Sequence, residues 1–203
     1  MPIRSLVFDV GGVLLNTNDW SGHRKWEAYF GLPEGELVKI VFGLEAANYA
    51  TLGYITEAEL WLNVASLFGL NTEQLIELQR DFWAGDRLNM ELIQFIRDLR
   101  LQYKTAILSN AWSGAHETFT GLFRLHEEVD LMFISSEIGV AKPDVRAFQV
   151  VTERLGVQPE EALMVDDIMR NVQGAQAAGM WGVHFITTAQ VITEIKKLTQ
   201  SLC

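Results

Sequence analysis

The chain has 203 residues, 49% of them hydrophobic and 21% charged, which suits one well-packed domain with at most a small second lobe and excludes a disordered chain. With 26 acidic against 16 basic residues its formal net charge is −10, a balance that repels nucleic acid and anionic membranes and so excludes both as expected partners. The single cysteine, Cys203, is expected as a frayed terminal thiol; an intrachain disulfide is excluded, no apolar run reaches the roughly 18 residues of a bilayer span, and a cytoplasmic location is expected.

Met1-Pro2-Ile3-Arg4 leads at once into Ser5–Phe8, a short apolar run closed by Asp9, Gly11 and Gly12. That is the pattern of a buried parallel strand ending in a turn. From about residue 16 to residue 87 no comparable strand is predicted and the rhythm is helical. Helices are predicted over Trp20–Phe30, Glu34–Phe42, Thr56–Phe68 and Thr72–Trp83. Thr56 and Glu59 stand at capping-box spacing, and Leu60, Val64 and Leu67 recur at helical spacing behind them.

From residue 88 the pattern alternates. Helix Met90–Leu101 precedes strand Lys104–Leu108, helix Ala115–Phe123 precedes strand Leu131–Ile134, and helix Val145–Leu155 precedes strand Ala162–Val165. Helix Met169–Ala178, strand Gly182–Ile186 and a last helix over Ala189–Thr199 complete the chain. Alternation of this kind predicts an α/β fold: a Rossmann-like parallel sheet with helices on both faces. The core would comprise residues 1–15 and 88–203, and residues 16–87 would be an inserted all-helical cap.

Ligands of such sheets bind beyond the carboxyl ends of the strands. The first strand ends in Asp9, the second in Ser109-Asn110 and the fourth in Asp166-Asp167, while the loop after the third carries Lys142-Pro143-Asp144. Three carboxylates against one lysine leave the empty site near −2, a charge that a hard divalent ion with oxygen ligands neutralises, and magnesium fits best. A phosphate can then enter a neutral site, held by Lys142, by the Ser109 hydroxyl and by backbone N–H groups beside Gly11 and Gly12. Asp9 is placed to attack phosphorus and form an aspartyl-phosphate that water hydrolyses.

Phe8-Asp9-Val10-Gly11-Gly12-Val13-Leu14, Leu108-Ser109-Asn110, Lys142-Pro143-Asp144 and Val165-Asp166-Asp167, continued by Asn171-Val172, Gly174-Ala175 and Ala178-Gly179-Met180, occur in that order. Together they resemble the four motifs of the haloacid dehalogenase-like superfamily, over nearly the whole chain, with a helical cap of that superfamily's first class. The resemblance implies a magnesium-dependent phosphatase acting on a small phosphate ester. It makes Asp9 nucleophile and metal ligand, gives the Gly11 carbonyl to the metal, and lets Ser109 and Lys142 bind the phosphoryl group. Asp166 then ligates magnesium, Asp167 supports it directly or through water, and Asn110 touches the substrate phosphate.

Gly11 departs from the usual pattern, which has a second Asp there as general acid and base. Its loss removes a group worth roughly 10²–10⁴ in rate. Either the leaving group needs little protonation, or a cap residue such as His23 supplies the proton, or the protein binds phosphate compounds and turns over poorly. A 2-haloacid dehalogenase is the further alternative, but dehalogenases carry an aromatic residue at this position and have no use for a metal-binding Asp166-Asp167 pair. His23, beside Arg24 and Lys25, also fits a solvated helix face. Trp20, Trp26, Trp61 and Trp83 fit a cap core, and Trp112 fits either packing or the site entrance.

Overall fold

The computed structural model describes residues 2–201, so Cys203 lies outside the described residues. In chain order the elements are β1 (Ser5–Phe8), β2 (Leu15–Thr17), α1 (Ser21–Phe30), α2 (Glu36–Gly43), α3 (Glu45–Thr51), α4 (Glu57–Phe68), α5 (Thr72–Trp83), β3 (Asp86–Leu88) and α6 (Met90–Leu99). There follow β4 (Lys104–Ser109), α7 (Ala115–Glu117), β5 (Leu131–Ile134), α8 (Ser135–Ile138), α9 (Val145–Leu155), β6 (Ala162–Asp166), α10 (Met169–Ala177), β7 (Trp181–His184) and α11 (Thr188–Ser201).

All four residues of β1 are buried, because this strand is the centre of a five-stranded sheet in the order β5-β4-β1-β6-β7. Every neighbouring pair in it is parallel. Period-two alternation divides the strands between two cores. Leu6, Phe8, Ile107, Leu163 and Val165 pack with Leu92, Ile93 and Ile96 of α6 and with Val191 and Ile195 of α11. Val7, Ala106, Leu108 and Met164 pack on the other face with Phe148, Val151 and Leu155 of α9 and Ala175 of α10. With both faces covered, the strands read as unbroken apolar runs, as the sequence pattern requires. Among the described residues no helix is long and apolar enough to cross a membrane.

Helices α1 to α5 enclose a third core built on Trp26, Leu37, Val41, Leu60, Trp61 and Phe82. The capping box expected at Thr56 is present, with Glu59 N–H donating to Thr56 Oγ1 (3.2 Å) and Thr56 N–H to Glu59 Oε2 (2.7 Å). The segment 16–87 is not all-helical, however. Leu15, Asn16 and Thr17 pair antiparallel with Leu88, Arg87 and Asp86, forming a ribbon at the base of the helical insert. Thr17 Oγ1 donates to Asp86 Oδ1 across it (2.6 Å), and three mostly polar residues a side are too few to display an alternating pattern.

Other boundaries shift for local reasons. Pro33 and Gly35 (φ 77°) hold a turn, so α2 begins at Glu36 rather than Glu34. The helix expected over Ala115–Phe123 is one short α-turn followed by a wider π-turn over Thr118–Leu122. α3 and α8, with 7 and 4 residues, are too short to show a helical period.

Gly174 lets α10 press onto the Lys142-Pro143 turn: a Cβ there would stand 2.5 Å from the Pro143 carbonyl oxygen and 2.9 Å from Pro143 Cβ. Gly174→Ala is therefore expected to cost about 1–3 kcal/mol, the usual penalty of overpacking, read as a lowered urea midpoint. Gly121→Ala, where a Cβ meets nothing within 4 Å, is the control and should leave the midpoint unchanged or slightly raised. Equal midpoints for the two variants would show that the contact at Gly174 is loose.

Candidate active site

The register of β1 sets the level of the site. Phe8 stands opposite Ile107 of β4 and Val165 of β6, so the residues that follow on the three strands are Asp9, Leu108-Ser109 and Asp166. Asp9 N–H donates to the Val165 carbonyl (2.9 Å), extending the ladder by one residue and fixing the carboxylate between the two flanking strands. Asp9, Ser109 and Asp166 are all buried there.

Lys142 joins them from the loop after α8. Its fully buried ammonium lies 2.8 Å from Asp9 Oδ1 and 2.6 Å from Asp166 Oδ2. The remaining contacts are equally specific. Asp9 Oδ1 also accepts from Val10 N–H (2.7 Å), while Asp166 Oδ1 accepts from Ile168 N–H (2.9 Å) and Asn171 Nδ2 (3.0 Å). Asp9 Oδ2 and the Ser109 hydroxyl carry no hydrogen bond among the described residues, which leaves both available to a ligand.

Asn110 bonds to the backbone of Lys142. Its amide donates to the Lys142 carbonyl (2.8 Å) and its Oδ1 accepts from Lys142 N–H (2.8 Å). Both ends of the side chain engage the lysine's backbone, so Asn110 holds Lys142 in place. Gly12 (φ 75°) is also constrained, since a Cβ there would collide with the Asp167 carboxylate. Gly11 is the opposite case: its φ is not positive and a Cβ would meet nothing within 4 Å, so this position has open space beside it.

The electrostatics are those of crowded buried carboxylates. Burial pushes the Asp9 carboxyl up to about 7; Lys142 opposes the rise and Asp166 adds to it. Asp167 is also raised, first by burial and then by Asp166. Asp9, Asp166 and Asp167 each offer an oxygen within 4.8 Å of the others, and Asp167 Oδ1 is buried without a hydrogen-bond partner. An orphaned carboxylate oxygen in an all-oxygen donor set that carries net −2 with Lys142 fits a hard divalent cation.

Two contributors escape sequence reasoning. Asn171 orients Asp166, and His184 Nε2 lies 2.9 Å from the Asp167 carbonyl oxygen because β7 registers His184 opposite Asp166. His23, by contrast, is buried between Trp20 and Phe82, with ring centroids at 4.9 and 4.7 Å, and is no solvated face. Burial lowers its pKa, and the charges acting on it are those of Asp86 and Glu27, not those of the Asp9 cluster. Trp112 packs into the helical insert against Phe42, Trp61 and Trp83.

The model of the haloacid dehalogenase-like hydrolase family matches residues 3–179. The chain is 29% identical over 213 residues to acyl-CoA dehydrogenase family member 10 of Mus musculus, covering 96% of this chain and 19% of that protein, so it spans about a fifth of that relative's length. It is 24% identical over 198 residues to a sesquiterpene phosphatase of Aspergillus oryzae, with 96% of each covered. Among solved structures, a HAD family enzyme of Bacteroides thetaiotaomicron in complex with magnesium and inorganic phosphate shares the fold at a TM-score of 0.76 and 21% identity, covering 92% of this chain and 96% of that one. A 2-haloacid dehalogenase of Pseudomonas syringae does so at 0.66 and 16%, covering 99% and 100%.

The raised Asp9 carboxyl carries a sign. Folded protein keeps a proton that the unfolded chain releases, so this group stabilises the metal-free fold at low pH, and that stability is lost as pH rises from the ordinary 3.8 through about 7. Melting in chelator is expected to weaken across this window by at most about 1.4 kcal/mol per pH unit, with the slope flattened in Asp9→Asn. An undiminished slope in that variant would assign the titration to another group.

Proposed function

The chain belongs to the haloacid dehalogenase-like hydrolase family, and we propose that within it this protein is a magnesium-dependent phosphatase that hydrolyses a small phosphorylated metabolite through an aspartyl-phosphate on Asp9. The observation that carries this reading is the convergence of Asp9, Asp166 and Asp167 within 4.8 Å beside a buried Lys142. Asp9, Asp166, Asp167 and the Gly11 carbonyl would hold magnesium, which when bound supplies charge stabilisation to the transferring phosphoryl group. The phosphatase among the relatives and the magnesium and phosphate in a fold neighbour support it. A cytoplasmic location is part of the same reading.

Each side chain has a task the geometry allows. Asp9 Oδ2, opposite the oxygen held by Val10 N–H and Lys142, attacks phosphorus. The phosphoryl oxygens take hydrogen bonds from the Ser109 hydroxyl and from Lys142, whose ammonium exchanges a carboxylate partner for the incoming anion. Asn110 keeps Lys142 at that height. The leaving group departs with the electron pair of its P–O bond, and water then cleaves the aspartyl-phosphate to phosphate and free Asp9. Residues 16–87 act as a cap over a core of residues 1–15 and 88–203 and choose the substrate. Dehalogenases share the fold, but displacement at carbon gives the Asp166-Asp167 pair no metal to bind.

The decisive assay is phosphate release from p-nitrophenyl phosphate and a panel of metabolite phosphates, with magnesium and with chelator. Magnesium-dependent release that falls at least ~10³-fold in Asp9→Asn is expected, since the nucleophile is lost. Release intact in that variant would overturn the reading. Halide release from a 2-haloacid, indifferent to chelator, would replace it with dehalogenation, and saturable phosphate-ester binding without turnover would replace it with a binding protein. Gly11→Asp has room for its Cβ. It is expected to raise turnover of alkyl phosphates by about 10²-fold, the lower end of what a general acid contributes, and to change aryl phosphate turnover little. A uniform loss across both ester types would show that the new carboxyl does not reach the leaving group.

A further inference from the structure

Near the strand end that carries Ser109, beside the exposed Asn110 and Ser113, the structure also exposes aromatic surface. Trp112 follows Ser109 by three residues, so their Cα atoms are at most ~11 Å apart. Trp112 itself is only 5% exposed, covered by Phe42 with ring centroids at 5.1 Å and by Trp83 at 5.9 Å. Those two remain 48% and 40% exposed and lie 6.2 Å apart, edge to face. The loop directly after Asp166-Asp167 continues the theme with Ile168 and Met169, exposed by 42% and 47%. Half-exposed aromatic and apolar side chains are thus joined, through Trp112 on one side and the loop after Asp167 on the other, to two of the strand ends that carry the site. Such surface gains free energy when it covers a ring, and edge-to-face aromatic pairs add to that gain.

Gly11 supplies the independent constraint. With no carboxyl at that position to protonate the departing oxygen, the site favours leaving groups that are stable as anions. A phenol ionises near 10, as tyrosine does, whereas water ionises at 15.7, so phenolate leaves unprotonated far more readily than an alkoxide. We propose that the substrate is an aryl phosphate monoester whose ring lies against Phe42 and Trp83 while its phosphate meets Asp9, Ser109 and Lys142. In the reaction a bond forms between Asp9 Oδ2 and phosphorus as the P–O(aryl) bond breaks. The phenolate leaves with that electron pair and takes its proton from solvent. Water then adds to phosphorus, and phosphate and Asp9 are released. This substrate class rests on the phosphatase reading.

The test compares four magnesium-supplemented substrates: 1-naphthyl phosphate, cyclohexyl phosphate, glycerol phosphate and acetyl phosphate. The last has a good leaving group and no ring. The proposal expects kcat/KM for naphthyl phosphate to exceed that for cyclohexyl and glycerol phosphates by at least a hundredfold. It expects Phe42→Ala and Trp83→Ala to raise KM for naphthyl phosphate five- to twentyfold more than KM for acetyl phosphate. Trp83→Phe, which keeps a ring at that position, should restore most of the difference and guards against a misfolded alanine variant. Comparable kcat/KM for glycerol and naphthyl phosphates, or equal KM changes for naphthyl and acetyl phosphates, would overturn the aryl assignment and leave the phosphatase standing. No release from any of the four, acetyl phosphate included, would bring down the phosphatase itself.

Discussion

The buried ammonium of Lys142, held between Asp9 and Asp166, is the contact on which the rest of the site depends. An ion pair out of water survives only if its remaining lone pairs and protons are satisfied, because the desolvation cost of each charge is several kcal/mol. Here one cation faces three carboxylates. Burial, with Asp166 adding to it, raises the Asp9 carboxyl to about 7, and an Asp167 oxygen is left with no partner. A fold arranged for stability alone would not keep such a debt at the centre of its sheet. The unsatisfied charge points to a cation and an anion that arrive from outside, which is why the site reads as functional.

The surroundings work to keep that arrangement rigid. Asn110 clips the backbone of Lys142 at both its N–H and its carbonyl, Asn171 and Ile168 fix one oxygen of Asp166, and Val10 fixes one oxygen of Asp9. Two glycines make the close approaches possible: Gly12 beneath Asp167, and Gly174 where α10 meets Pro143. Each of the hydrogen-bonding residues acts through a charged neighbour, on which the chemistry rests.

What was legible in the sequence follows from the physics of each element. A parallel sheet covered on both faces writes itself as apolar runs, so β1, β4, β5 and β6 were readable together with the residues that end them. Capping at Thr56 was readable because it is a local pattern of four residues. The ribbon of β2 and β3 was not, since its pairing joins residues some 70 positions apart and carries little apolar signal. Asn110, His184 and Asn171 lay in the right motifs or strand, but their partners are set by tertiary register, which no spacing rule contains. His23 misled for a related reason: its charged neighbours in sequence suggest a wet face, whereas Trp20 and Phe82 close over it in space.

The attachment of the helical insert is equally a matter of register. Asn16 and Arg87, where the chain enters and leaves the insert, are paired with each other in the ribbon, so the two crossings are held together. A second attachment stands at the end of β4. Glu57 N–H donates to Ser113 Oγ (3.0 Å), Gly114 N–H donates to the Glu57 carboxylate (3.2 Å), and Trp112 is buried among the rings of the insert. These contacts lie three to five residues beyond Ser109, so the insert is tied to the core close to the end of the strand that carries that serine. Trp112, one of the residues that anchor the insert, also borders the exposed rings of Phe42 and Trp83, so a ligand ring resting there would press directly on that attachment.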